Sequence, residues 1–429
     1  DAIARFANED ALGLIERTLA QPALDAHPRW RFQVLVSRRS ALDRLGRQEA
    51  ARVALQELER FAENCGDDAM RADVATISML AADHQGQPEQ ARELAHQALA
   101  LAARHGGPEA AGSAALAHGE LAWLALMARD HAAARQQLAQ GMRHARVAAT
   151  VPGRDGGYSG YDLQLHVLEI ECEQQQRRHA ACLAAADQAL AAIARKSRPY
   201  PHDRVMLLQH RSYALRLLGR LEEAAAASAE AMAIAEQLCM PRLVANACTH
   251  AAPVALARGD LAQAQALIDR LEHSAQQADY RSVRPDVFRL RAELAAAFQD
   301  TGLAVHWRDR AVEELRAAQR EAEAVQLQCE TALLDAAQGR EHDALGAVEA
   351  ALAAAEAHAD PHRGLLSPRA LLVCHTLLAQ RGDARAAGVL ADLRLQFEAQ
   401  CADAPDAQAL EALLGVPHWR ETAARLAGP

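Results

Sequence analysis

The chain has 429 residues, of which 51% are hydrophobic but only 3% aromatic, and it carries a formal net charge of −10 at pH 7. Alanine supplies nearly half of the apolar fraction, which favours closely packed helices over strands, so the expected class is all-α. The acidic balance speaks against nucleic acid as a partner, because phosphate binding needs a concentrated basic face. No apolar run reaches the roughly 20 residues that cross a bilayer, so no membrane partner is expected.

The first predicted helix runs through Asn8–Thr18. Its Ala11 lies 40 residues before Ala51, so residues 1–20 read as the second helix of a truncated repeat, and a covalently attached upstream domain is expected. From residue 21 to 407 a turn followed five residues later by a small residue recurs. Gly46 with Ala51, Gly86 with Ala91, Gly219 with Ala224, Gly259 with Ala264, Gly339 with Ala344 and Gly382 with Ala387 follow the rule. Degenerate copies pair Arg129 with Ala134, Arg177 with Cys182 and Gly302 with Trp307. Trp307 is too large for a close helix approach, so a splayed repeat is expected there. The spacing gives about nine helix-turn-helix repeats of mean period 42, in one array over residues 1–429.

Two links break the period. The stretch with Gly153, Gly156, Gly157 and Gly160 reads as an inter-repeat loop, since no strand precedes it and no Gly-Lys-Ser/Thr ends it. Lys196–Arg204 reads as a solvated basic loop. A closing helix over Gln408–Leu426 is predicted to cap the array, with Trp419 in its core.

The turn-plus-alanine pattern, with small residues seven before the turn at Ala122, Ser212, Ala252, Ala295 and Ala332, resembles the tetratricopeptide repeat family. Its long period and alanine content are similar to the sensor solenoids of bacterial signal-transduction ATPases of the STAND type and of cyclase-linked ATPases. That resemblance implies a right-handed α-α superhelix whose first helices line a concave groove at thirteen, ten, six and three residues before each turn. Carried onto this sequence, those offsets name Gln164, Gln209, Tyr213, Arg216, Asn246, Thr249, Arg289, Gln326 and Arg369 as groove residues. Most are polar in otherwise apolar helices. Side chains of this kind, with an aromatic at Tyr213, suit an extended peptide or a small ligand.

Searching for catalysis gives a different result. The sequence has no His-Glu-x-x-His, no Gly-x-Ser-x-Gly and no Cys-x-x-Cys, so no catalytic residue, metal or cofactor is expected. Most of the 19 histidines read as solvated surface residues, and the 8 cysteines as reduced, mostly buried thiols of a cytoplasmic protein. The expected function is a non-catalytic sensor module for a peptide, protein segment or small-molecule ligand, within a larger signalling protein. A docking scaffold that recruits a partner protein is the alternative.

Overall fold

The computed structural model describes residues 2–45, 47–84, 87–150, 161–195, 200–278, 280–357 and 366–427. The turns at Gly46 and Gly86, the glycine-rich link and Lys196–Pro199 lie outside these residues. Among the described residues there are helices and turns and no strand, and no helix is long and apolar enough to cross a membrane. The chain divides into two compact units, one spanning Asp1–Cys172 and the other Glu173–Arg195 with Pro199–Pro429.

The first unit holds α1 (Ala2–Leu19), α2 (Pro28–Arg44), α3 (Gln48–Cys65), α4 (Asp68–His84), α5 (Pro88–His105), α6 (Ala111–Met127), α7 (His131–Ala148) and most of α8 (Tyr161–Gln175). The second holds α9 (His179–Ala194), α10 (Pro201–Leu217), α11 (Leu221–Gln237), α12 (Pro241–Arg258), α13 (Leu261–Gln277), α14 (Arg284–Ala297) and α15 (Thr301–Ala317). It continues through α16 (Glu321–Glu330), α17 (Ala332–Ala337), α18 (Glu341–Ala357), α19 (Pro368–Gln380), α20 (Arg385–Ala402), α21 (Ala407–Gly415) and α22 (Pro417–Ala427).

Turn chemistry explains why the chain breaks where it does. Gly219, Gly259, Gly339 and Gly382 adopt φ between 67° and 76°, and Arg129, Arg177 and Gln299 take the same left-handed conformation at 58°, 57° and 64°. The next N–H then reaches back five residues, from Arg220 to the Leu215 carbonyl at 2.9 Å and from Asp260 to Ala255 at 3.0 Å. This closes the first helix by satisfying a carbonyl that would otherwise be orphaned. Where the next residue is Asp130, Asp260 or Asp300, its carboxylate also accepts the N–H three residues on, so one aspartate ends one helix and caps the next.

The structure corrects one turn. The break expected at Gly302 occurs at Gln299, and Gly302 lies inside α15. The residue five after the turn is therefore Ala304, with no exposed surface, and not Trp307. No splaying results, because Ala304 sets the close approach while Trp307 stacks on Phe288 at 5.6 Å and 14°. With this register the turns at Gly219, Gly259, Gln299 and Gly339 fall 40 residues apart. The small-residue slots meet as the repeat pattern requires. Ser212, seven before Gly219, donates to the carbonyl of Ala224, five after it, at 3.0 Å, and its hydroxyl lies 2.6 Å from that of Ser228.

The closing helix is divided. Pro417 has no N–H and holds Val416 extended (φ −69°, ψ 125°), so α21 ends and α22 begins there. Trp419 is 2% exposed and packs against Phe397 at 5.7 Å. These last helices return to the first turns of their own unit. The Gln400 amide on α20 donates to the Arg177 carbonyl, and the Ala412 carbonyl on α21 approaches Gly219 so closely that a Cβ there would stand 1.9 Å from its oxygen. The second unit thus closes on itself around an inner wall.

Candidate binding site on the inner wall of the second unit

Eight of the nine groove residues named from the sequence lie in the second unit; Gln164, exposed on α8, belongs to the first. Helical spacing puts Gln209, Tyr213 and Arg216 on one face of α10. The Arg216 guanidinium lies 5.6 Å from the centre of the Tyr213 ring. His179 of α9 meets that ring edge-on at 6.4 Å. His210, on the same helix, lies with Nδ1 3.2 Å from the Gln174 amide.

On α12 the Thr249 hydroxyl donates to the Asn246 carbonyl at 2.7 Å. Pro253 inside this helix has no N–H, which leaves the Thr249 carbonyl without its intrahelical donor. On α14 the corrected turn moves Arg289 from thirteen to ten residues before it. Its guanidinium is already committed, donating to Glu293 at 2.8 Å and to Asp286 at 3.3 Å. Gln326 on α16 donates to Glu330 at 2.8 Å, and the Ser367 hydroxyl donates to the same carboxylate oxygen. Arg369 stands exposed in the first turn of α19.

These side chains come from helices far apart in sequence but share one electrostatic environment. Burial pushes the Arg216 guanidinium down, and the like charges of Arg289 and Arg369 add to that against Tyr213 and Glu293. Burial raises the Tyr213 phenol. Burial also opposes the charge of Glu293, but Arg289, Arg369 and Arg216 outweigh it and hold the carboxyl below its ordinary range. Among the described residues, buried polar atoms without a hydrogen-bond partner beside this group include Nε2 of Gln209, a residue 2% exposed, and Nδ1 of His179, 7% exposed.

The reading of the histidines as solvated surface residues is overturned at this wall. Burial first, and neighbouring basic side chains second, hold His179 and His250 at about 3, and His418 at about 4. His210 sits at about 4 through burial. All four are neutral at pH 7. Because each folded value lies below the ordinary 6.5, the unfolded chain binds more protons between the two. The stability they contribute is complete above about 6.5 and is lost as pH falls through that window toward 3. The melting temperature is therefore expected to drop between pH 7 and pH 5, and to drop less in a His250→Asn variant. Equal slopes in the two proteins would show that His250 is not held neutral.

Sequence reasoning missed His179, His210, His250, Glu293, Glu330 and His418. Part of the signal was present. His210, His250 and Glu330 each stand nine residues before a turn, at Gly219, Gly259 and Gly339, and nine is not among the offsets carried over from the repeat family. Glu120 of the first unit stands nine before Arg129. It is 4% exposed with Oε1 unpartnered, and burial, with Asp83 second, raises its carboxyl to about 7. Among the described residues no group of His, Cys, Asp and Glu could hold a metal ion.

No protein-family model matches the sequence, and comparison with curated proteins gives no match. Solved structures do match. A Rap protein complexed with Competence and Sporulation Factor superposes with a TM-score of 0.52 at 11% identity, over 83% of this chain and 99% of that one. Aspartyl phosphate phosphatase F from Bacillus subtilis superposes with a TM-score of 0.53 at 10% identity, over 90% and 93%. A signal-transduction ATPase with a tetratricopeptide repeat sensor from Pyrococcus horikoshii gives 0.47 at 10% identity, over 89% of this chain and 55% of that one. At these identities the likeness concerns the fold. Paired helices, left-handed turns 40 residues apart and small residues meeting across each pair make this chain a tetratricopeptide-like helical repeat domain.

Proposed function

We propose that this chain is a non-catalytic binding and sensor module that holds a peptide or protein segment against the inner wall of its second unit. One observation carries the reading: Tyr213, Arg216, His179, His250, Glu293 and Arg369, from five separate helices, are coupled to one another, and the buried Gln209 Nε2 and His179 Nδ1 beside them have no hydrogen-bond partner among the described residues. An aromatic face among unsatisfied donors is the composition of a ligand site, and polar groups left buried without partners cost stability that a ligand can return. The Rap structure of the same fold was solved in complex with Competence and Sporulation Factor, which supports a binding role for this architecture. The cysteines are free thiols, five of them buried, which fits a module working in the cytoplasm.

The test is thermal unfolding of the chain with and without a pool of short synthetic peptides. A peptide at about 100 times its dissociation constant stabilises by about 2.7 kcal/mol, an increase of roughly 5 °C for a unit of this size. The Tyr213→Ala variant is expected to lose that increase. If no peptide shifts the wild type but a protein is captured whose retention ignores Tyr213, the chain is a docking scaffold and the inner wall is not its site.

A further inference from the structure

Two of the buried thiols meet inside the apolar core of the second unit. Cys329 Sγ on α16 lies 3.4 Å from Cys374 Sγ on α19, and neither residue has exposed surface. The Cys329 thiol also lies 3.8 Å from the Ala370 carbonyl in the first turn of α19. Ala332, Val348, Leu371 and Leu378 belong to the same apolar cluster. A disulfide holds its sulfurs about 2.05 Å apart, so a bond here needs a further approach of only about 1.4 Å.

We infer that Cys329 and Cys374 are a disulfide-forming pair, which a peroxide oxidises to a covalent link between α16 and α19. In the closed fold the thiols are protected. The hydrogen bond with Cys374, then burial, then the Glu330 charge push the Cys329 thiol up, away from the thiolate that reacts. Reaction therefore proceeds through local opening, and the chain provides for it two residues on, where α16 gives way at Thr331 before α17 begins. With hydrogen peroxide, one thiolate attacks a peroxide oxygen, the O–O bond breaks, and hydroxide leaves as a sulfenic acid forms. The second thiolate attacks that sulfur, and the S–O bond breaks as the S–S bond forms. Each departing hydroxide takes up one of the released protons, so the two thiols lose two electrons and two protons and the peroxide becomes two waters. The link joins the first helices of successive repeats across 45 residues of chain. It fixes α16 beside α19 at the point where Ser367 donates to Glu330, the residue after Cys329.

The test uses the full chain, reduced and then exposed to hydrogen peroxide under native conditions, with tryptic peptides mapped by mass spectrometry in the absence of reductant. The expected product joins residues 321–340 to residues 370–381, is two hydrogens lighter than the two peptides together, and disappears on treatment with dithiothreitol. Its yield is expected to exceed that of any other cysteine pair about tenfold. Because the link restricts the unfolded chain, the oxidised protein should melt about 5 °C or more above the reduced one. Cys374→Ala, which keeps the side chain small and apolar, is expected to lose both the product and the rise. The wild-type map decides the question even if that variant does not fold. Oxidation of the exposed Cys65 and Cys239 without the joined peptides overturns the pairing. A product that forms only in urea overturns it as well, because the pairing would then belong to the unfolded chain and not to this fold.

Discussion

Replacing Asp335 with alanine is expected to destabilise the second unit by about 3–5 kcal/mol, measured as a fall in the urea midpoint. Asp335 of α17 and Arg308 of α15 are each 4% exposed. Arg308 donates with both terminal nitrogens to the two oxygens of Asp335, one contact measuring 3.0 Å, and Arg340 donates to the same carboxylate. Burial works against the charge of Arg308, but the bonds to Asp335 and then to Asp309 outweigh it and raise its affinity for the proton. Without Asp335 the guanidinium keeps its charge, loses its buried partner and cannot reach water. An Asp335→Asn variant keeps the shape but not the charge and is expected to lose much of the same stability. Exchanging both partners, Arg308→Met with Asp335→Leu, should restore most of it, since a buried ion pair is dispensable only as a pair. A loss below about 1 kcal/mol for Asp335→Ala, the range of exposed pairs, would mean that water reaches this site. The consequence extends to the inner wall. Helix α17 follows a break at Thr331, whose hydroxyl bonds the Leu327 carbonyl at 2.7 Å, and the residue before that break is Glu330.

The second large effect is expected at Gly219. Gly219→Ala and Gly259→Ala form a matched pair, because both glycines have φ of 76° and both variants carry the left-handed strain of about 1–2 kcal/mol. At Gly259 an added Cβ meets nothing within 4 Å, whereas at Gly219 it would stand 1.9 Å from the Ala412 oxygen. No side-chain rotation relieves that contact, since both sides are backbone. Helix α21 must move, and the closure of the unit opens with it. Gly219→Ala is expected to cost at least about 2 kcal/mol more than Gly259→Ala, the scale of overpacking. Amide hydrogens of residues 407–427 should exchange at least tenfold faster in the first variant alone. Equal stability and equal exchange in the two variants would mean that the end of the unit does not seat on its beginning.

Both variants also separate what short sequence patterns carry from what they do not. Ser212 and Ala224 were readable as facing slots because each sits at a fixed distance from Gly219, and the repeat geometry brings such positions together locally. Gln299 escaped because Gly302, three residues on, offered a residue type that more often takes the left-handed conformation. Asp300 was the better mark: its carboxylate caps α15 through the Leu303 N–H, as Asp130 and Asp260 cap the helices they precede. Correcting that turn moved Arg289 off its expected offset and revealed its two carboxylate partners. The histidines failed for a different reason. Nothing next to His250 in the sequence says that α10 and α14 bring His210, Arg216 and Arg289 near it.

By itself, then, the sequence determined the helices, their pairing and most of the left-handed turns, because those depend on interactions spanning a few residues within one repeat. Tertiary structure alone decided that Gln400 reaches the Arg177 carbonyl, that Ala412 lies against Gly219, and that His179 is buried. Closure sums a small rotation at each repeat interface. No single repeat encodes that sum.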